Sequence, residues 1–147
     1  MYSELKNSLG FAVNRSAYLI RCLIKKELKQ RGYNITPEEL ILLCCLWEND
    51  GLTQNELANY TIKEPSTLTR LLDGMVKKGL VVRKIDKLDK RRVLAKLTNQ
   101  GKDLKEPMMV IMNHIKSESF AGIEHQDVKD TFSTLVTVQN NIQNRIS

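Results

Sequence analysis

Residues 52–101 read LTQNELANYTIKEPSTLTRLLDGMVKKGLVVRKIDKLDKRRVLAKLTNQG, and the order of signals in this stretch decides the fold. Thr53-Gln54-Asn55-Glu56 is a capping box, in which a hydroxyl accepts from the backbone three residues on and a carboxylate accepts in return. It opens a short helix to about Tyr60, and Thr61-Ile62-Lys63 is a tight connector. Pro65 stands at a first helical position. The helix it starts ends at Lys77-Lys78-Gly79, basic residues followed by a glycine stop. Then the period changes. Leu80-Val81-Val82-Arg83 and Val93-Leu94-Ala95-Lys96-Leu97 are β-prone runs around a charged tip, Ile85 to Arg92, which predicts a hairpin. Two short capped helices followed directly by a basic hairpin make a winged helix-turn-helix pattern.

Outward from this stretch the chain reads as helix. Residues 4–29 carry an apolar stripe at helical spacing (Leu5, Leu9, Ala12, Leu19, Leu23, widened by Val13, Ile20, Ile24 and Leu28), and Gly32 and Asn34 end it. Thr36-Pro37-Glu38-Glu39 is a second capping box with proline at the first helical position. The helix it opens, to about Glu48, is apolar around most of its girth and belongs at the centre of the fold. After the hairpin, Thr98 to about Ser119 reads as helix, with Pro107 kinking it or marking a late start. Gly122 separates a last helix, roughly Glu124 to Ile146, striped by Val128, Phe132, Leu135, Val138, Ile142 and Ile146. The predicted class is mainly α with a small β-hairpin wing: a winged helix-turn-helix flanked by long helices.

The 147 residues fit one domain able to bury a core without staples. The longest apolar run, Leu40 to Trp47, is far too short to span a bilayer, and the first residues lack the layout of a secretory signal. The expected location is the cytoplasm. Cys22, Cys44 and Cys45 form no CxxC pair and have no flanking histidines, so neither a disulfide framework nor a zinc knuckle is expected. Adjacent Cys44 and Cys45 read most simply as small core residues. The net charge of +6 is unevenly placed: from Lys63 to Lys105 there are 13 Lys/Arg against 5 Asp/Glu, a balance of +8, and the remainder carries −2. A localised basic field attracts polyanions, nucleic acid before anionic membrane.

The helix from Pro65 divides into an apolar face (Leu68, Leu71, Leu72, Met75, Val76) and a remainder that includes Ser66, Thr67, Thr69, Arg70, Asp73 and Lys77. Short hydroxyls and an arginine near a helix N-terminus suit major-groove work: hydroxyls hold phosphates, and arginine donates bidentately to guanine. Ala58 is small where the two helices must approach, and Leu57 and Ile62 supply core at the corner. At the tip, Lys84, Lys87, Lys90, Arg91 and Arg92 gather with Asp86 and Asp89. Such a tip places an arginine in the minor groove, and an aspartate two residues before it fixes its direction. A surface cluster of offsetting ion pairs is the bland alternative. It contributes little to stability and leaves the order of elements unexplained.

The run Leu68-Thr69-Arg70-Leu71-Leu72-Asp73-Gly74-Met75-Val76-Lys77-Lys78-Gly79-Leu80-Val81-Val82-Arg83, then Asp86-x-x-Asp89-Lys90-Arg91-Arg92-Val93-Leu94-x-Lys96-Leu97-Thr98-x-x-Gly101, resembles the MarR family of multiple-antibiotic-resistance regulators. The Asp-x-Arg at the tip followed by Leu-Thr-x-x-Gly is its most specific part, and the helix order extends the likeness over nearly the whole chain. The resemblance implies a single domain over residues 1–147, with a DNA-binding lobe at 52–101 and dimerisation helices at 1–34 and 102–147. It further implies a homodimer on a palindromic operator, usually as a repressor. Each helix from Pro65 to Lys78 would enter a major groove, with Arg91 in the adjacent minor groove and Asp89 orienting it. Ser66, Thr67, Thr69, Arg70, Lys77, Lys90, Arg91 and Arg92 are the DNA-binding candidates. Gly74 departs from the pattern, since a longer side chain is common there; glycine in a helix costs up to about 1 kcal/mol relative to alanine.

The resemblance also implies a small effector, often an anionic aromatic, for which Arg15, Tyr18 and His114 are candidates by region alone. Peroxide-sensing relatives use a cysteine of the first helix. Cys22 is in that helix, flanked by Arg21, Lys25 and Lys26, but lies only fourteen residues before Thr36, several turns nearer the second helix than the relatives' cysteine. Zinc sensing is not expected with His114 and His125 as the two histidines and no His-x-x-x-His spacing, and no cofactor is implied. No nucleophile elbow or phosphate-cradling loop points to an enzyme. The competing functions are a thiol redox switch through Cys22 and a winged-helix module for protein–protein assembly.

Overall fold

A computed structural model describes residues 2–61 and 64–147; the connector residues Ile62 and Lys63, and with them the corner role read for Ile62, lie outside the described residues. The chain falls into two compact units, residues 1–113 and 114–147. The first contains α1 (Tyr2–Lys6), α2 (Leu9–Gln30), α3 (Pro37–Glu48), β1 (Leu52–Thr53), α4 (Gln54–Tyr60), α5 (Pro65–Lys77), β2 (Val81–Ile85), β3 (Val93–Leu97), α6 (Asn99–Asp103) and the start of α7 (Lys105–Ser119). The second holds the end of α7 and α8 (His125–Ile146).

Both capping boxes form. The Glu39 amide donates to Thr36 Oγ1 at 3.1 Å and the Thr36 amide to Glu39 Oε2 at 3.0 Å. At α4 the Glu56 amide donates to Thr53 Oγ1 at 3.2 Å and the Thr53 amide to Glu56 Oε2 at 2.7 Å. Pro65 opens α5, and Gly79 closes it at φ +71°, a left-handed conformation that favours glycine. Leu40, Leu42, Leu43 and Leu46 of α3 meet Leu57 of α4, Leu68, Leu72 and Met75 of α5, and Val81 and Ala95 of the sheet in one buried core. Each fully buried side chain of this size contributes about 2 kcal/mol of transfer free energy.

Four details differ from the sequence reading. The first helix is broken: α1 stops at Lys6 and Ser8 caps α2, its hydroxyl accepting from the Phe11 amide at 3.2 Å. A short strand, β1, pairs with β3 (Leu52 opposite Ala95), so the wing hairpin supplies the central strand and one edge of a three-stranded antiparallel sheet ordered β1-β3-β2. The predicted helix from Thr98 divides at Leu104 into α6 and α7, which places Pro107 in a first turn, where its missing amide leaves no bond unmade. Val76 is 36% exposed and leaves the apolar face of α5 to Leu68, Leu72 and Met75, while Leu71 is half-buried. No helix among the described residues is long and apolar enough to cross a membrane.

The Leu97-Thr98-x-x-Gly101 run acquires a physical reason. The Thr98 hydroxyl donates to the Gly79 carbonyl at 2.6 Å and accepts from the Gly101 amide at 3.0 Å. A Cβ at Gly101 would lie 2.2 Å from the Leu80 carbonyl oxygen, so any side chain there collides with backbone. Trp47 Nε1 donates to the Gly101 carbonyl at 2.9 Å, tying α3 to the same corner. Wing base and α5 exit are thus fastened together.

Candidate nucleic-acid interface

Ser66, Thr69, Arg70, Asp73 and Lys77 are exposed on α5, and Thr67 is half-buried. Thr69 is engaged: its hydroxyl donates to the Pro65 carbonyl at 2.9 Å and accepts from Gln54 Nε2 at 2.7 Å. Gln54, which sequence reasoning passed over, thereby crosses from α4 to α5, and its Nε2 also donates to the Pro65 carbonyl at 3.3 Å. A glutamine inside a capping box carries no pattern of its own; its role follows from the crossing of the two helices.

The hairpin tip closes with the Asp86 amide donating to the Arg92 carbonyl and the Arg92 amide to the Asp89 carbonyl, both at 2.9 Å. Asp86 turns the entry, its carboxylate accepting from the Leu88 amide at 2.9 Å. Arg91 and Asp89 pair as the spacing predicts. Arg91 Nε donates to Asp89 Oδ1 at 3.1 Å and Nη2 to Oδ2 at 3.3 Å, while the Arg91 amide donates to Oδ1 at 3.1 Å. Arg91's side-chain bond and then its amide, helped by the charge of Arg92, hold the Asp89 carboxyl below its ordinary value. The Arg91 side chain is nonetheless 90% exposed. The guanidinium is aimed and still open to solvent. Lys90 is exposed beside it.

Arg92 behaves differently. Its Nη2 donates to Glu56 Oε1 at 2.9 Å and its Nη1 lies 3.6 Å from Asp86 Oδ2. Glu56 is already the return arm of the α4 capping box, and the Thr53 bonds, followed by Arg92, lower its pKa. On the opposite strand Arg83 Nη2 donates to Asp73 Oδ1 of α5 at 2.7 Å. The wing is braced to both helices, a role that the sequence reading did not assign to Glu56, placed in the capping box, to Asp73, placed off the apolar face, or to Arg83.

An apolar cleft of about 240 Å³ opens between α2, α3 and the start of α7, lined by Ile24, Leu40, Ile41, Cys44, Cys45 and Met112, with Glu48 contributing. Cys44 and Cys45 are half-buried walls of this cleft rather than core residues, and burial pushes both thiols up, with the Glu48 charge adding to it. Arg15 and Tyr18 are exposed on α2 and do not line the cleft; His114 belongs to the second unit. Cys22 is exposed.

A helix-turn-helix with a braced basic wing defines the winged-helix class. A sequence model of the MarR family matches residues 35–93. The chain is 32% identical over 137 residues, 93% of its length and 90% of the relative's, to the organic hydroperoxide resistance transcriptional regulator of Bacillus subtilis (strain 168). The chain therefore belongs to the MarR family of DNA-binding transcriptional regulators. Among solved structures it is similar to reduced AbfR bound to DNA, the AbfR protein being that of Staphylococcus epidermidis (TM-score 0.77, 25% identity, 99% of this chain and 97% of that one). It is likewise similar to CouR from Rhodococcus jostii RHA1 bound to p-coumaroyl-CoA (TM-score 0.80, 25% identity, 91% and 93% covered).

Proposed function

We propose that the chain acts as a homodimer that reads a palindromic operator and represses, releasing DNA when a small ligand binds. The observation that carries this reading is Arg91: a guanidinium oriented by Asp89 yet 90% exposed, at the tip of a wing beside the polar face of α5. Ser66, Thr67, Thr69, Arg70 and Lys77 would face the major groove, with Lys90 and Arg91 at the minor groove. Arg92 keeps a supporting part, since its guanidinium is held by Glu56 and Asp86. In this reading residues 52–101 are the DNA-binding lobe of one functional domain. Residues 1–34 and 102–147 supply the dimer helices, because Leu5, Leu9, Leu19, Phe132, Ile142 and Ile146 are large apolar side chains left exposed in the single chain. A cytoplasmic location goes with this reading. For the effector, Arg15 and Tyr18 of the first unit, and separately His114 of the second, have side chains that suit an anionic aromatic, whereas the cleft beside Glu48 suits an uncharged one.

The experiment is selection of duplexes from a random pool, followed by affinity measurement against salt. A palindrome with half-sites about one turn apart and a log–log salt slope of several units is expected. No selected duplex at low salt would favour protein–protein assembly instead.

A second reading, thiol redox control through Cys22, is favoured by the likeness to the organic hydroperoxide resistance regulator and by the exposure of Cys22 on α2. Its test is Cys22→Ser: organic hydroperoxide should then no longer release DNA, and unchanged release would remove Cys22 from consideration.

A further inference from the structure

Gly74, in the last turn of α5, and Glu39, in the first turn of α3, meet at one point. Among the described residues Glu39 is the one charged side chain that is buried, at 4% exposure. Both its oxygens accept from the Lys78 ammonium, Oε1 at 3.0 Å and Oε2 at 2.7 Å, and Oε2 accepts from the Thr36 amide as well. Lys78 is the C-terminal cap of α5, its amide donating to the Gly74 carbonyl at 3.0 Å. A Cβ at Gly74 would lie 3.4 Å from Glu39 Oε1, an ordinary van der Waals contact, so the carboxylate packs directly against α5 at this position.

We propose that Glu39 and Lys78 are positioning residues that clamp the recognition helix to α3, setting DNA affinity without touching DNA. The inference rests on the reading of α5 as the DNA-reading helix. Each charge sits at a favourable helix end, the carboxylate at the N-terminus of α3 and the ammonium at the C-terminus of α5. Neighbouring lysines take opposite parts: Lys77 is exposed, whereas the Lys78 side chain is 26% exposed and its ammonium is on Glu39. The grip has leverage. A helix of 13 residues is about 20 Å long, and a tilt of about 5° at the clamped end moves Ser66 and Arg70 by more than about 1 Å. Base-edge hydrogen bonds weaken steeply over such a shift.

The test uses the full chain and a duplex that the unaltered protein selects from a random pool, with a scrambled duplex as control and unfolding midpoints measured in parallel. Lys78→Met and Glu39→Gln (the amide oxygen still serves the capping box) should each weaken the selected duplex by about tenfold. Binding to the scrambled duplex should stay within about twofold and the salt slope should not change. Lys78→Arg should restore most of the affinity. If Lys78→Met fails to fold, the other variants decide. A salt slope reduced by about one unit in Lys78→Met would mark Lys78 as a phosphate contact and overturn the proposal. Tighter binding by Glu39→Gln would do the same, since Glu39 would then be withholding Lys78 from DNA. Parental affinity in folded variants would leave the pair merely structural. If the unaltered protein selects no duplex, the DNA reading itself fails; if it does and the variants match it, the clamp alone fails.

Discussion

Arg91–Asp89 at the wing tip and Lys78–Glu39 between α5 and α3 are both cation–carboxylate pairs in one lobe, yet their surroundings give them opposite properties. The tip pair joins residues two apart in sequence, and its arginine is 90% exposed, so solvent screens it and adds little to its strength. The inner pair joins residues 39 apart, with its carboxylate side chain 5% exposed. There the dielectric is low, and removing one partner strands a charge. The tip pair therefore holds a direction while leaving the guanidinium available; the inner pair holds two helices. The difference teaches that a basic residue in a basic segment is a candidate for DNA only after its partner and exposure are known.

The largest expected effect lies with the inner pair. Lys78→Ala should lower the free energy of unfolding by about 3 kcal/mol in urea denaturation, because the Glu39 carboxylate is left buried without its ammonium. A loss below about 1 kcal/mol would mean that water or rearrangement replaces the lysine. Next comes Arg91→Ala, expected to weaken duplex binding by about tenfold with the unfolding midpoint unchanged. Affinity within about twofold of the parent would show the wing arginine to be a bystander. Asp89→Ala should cost about threefold in affinity and leave the unfolding midpoint close to the parent's, the signature of an orienting group in an exposed pair. Loss of stability comparable to that of Lys78→Ala would erase the contrast.

The smallest effect is on acid. Glu56 and Asp89 have pKa values lowered from ordinary values of 4.5 and 3.8. A depressed carboxylate stabilises the fold above its ordinary value and loses that contribution as pH falls through the folded one. Thermal midpoints should accordingly be flat in these two groups above about pH 5 and fall with acidification below it. Glu56→Gln and Asp89→Asn should each make that acid limb shallower. A limb equally steep in the double variant would assign it to other carboxylates.

Most of the fold was legible because its signals are local. Thr36, Thr53 and Pro65 announce helix starts through the chemistry of a few neighbouring residues, and β3 appeared at its predicted bounds, Val93–Leu97. Asp89 and Arg91 were paired from spacing alone for the same reason. The break at Ser8 is a local cap that the apolar stripe obscured; the other misses are non-local. β1, of two residues, exists because Leu52 and Thr53 lie against Ala95 and Leu94, which no window around Leu52 contains. Cys44 and Cys45 read as core from an apolar run, but which side of α3 faces packed neighbours and which faces a cleft depends on α2 and α7.

The sequence by itself determined the order of helices and hairpin, the caps that start them, the basic bias of the central third and the oriented arginine at the wing tip. These follow from short-range hydrogen bonding, periodicity and charge. Tertiary structure decided which basic residues are available. It directed Arg92 to Glu56, Arg83 to Asp73 and Lys78 to Glu39, and it showed why Gly101 admits no side chain beside Leu80. The reason is physical: an ion pair or a steric gap between residues tens of positions apart depends on how elements cross, and burial, which sets its strength, belongs to the packed chain and to no single segment of it.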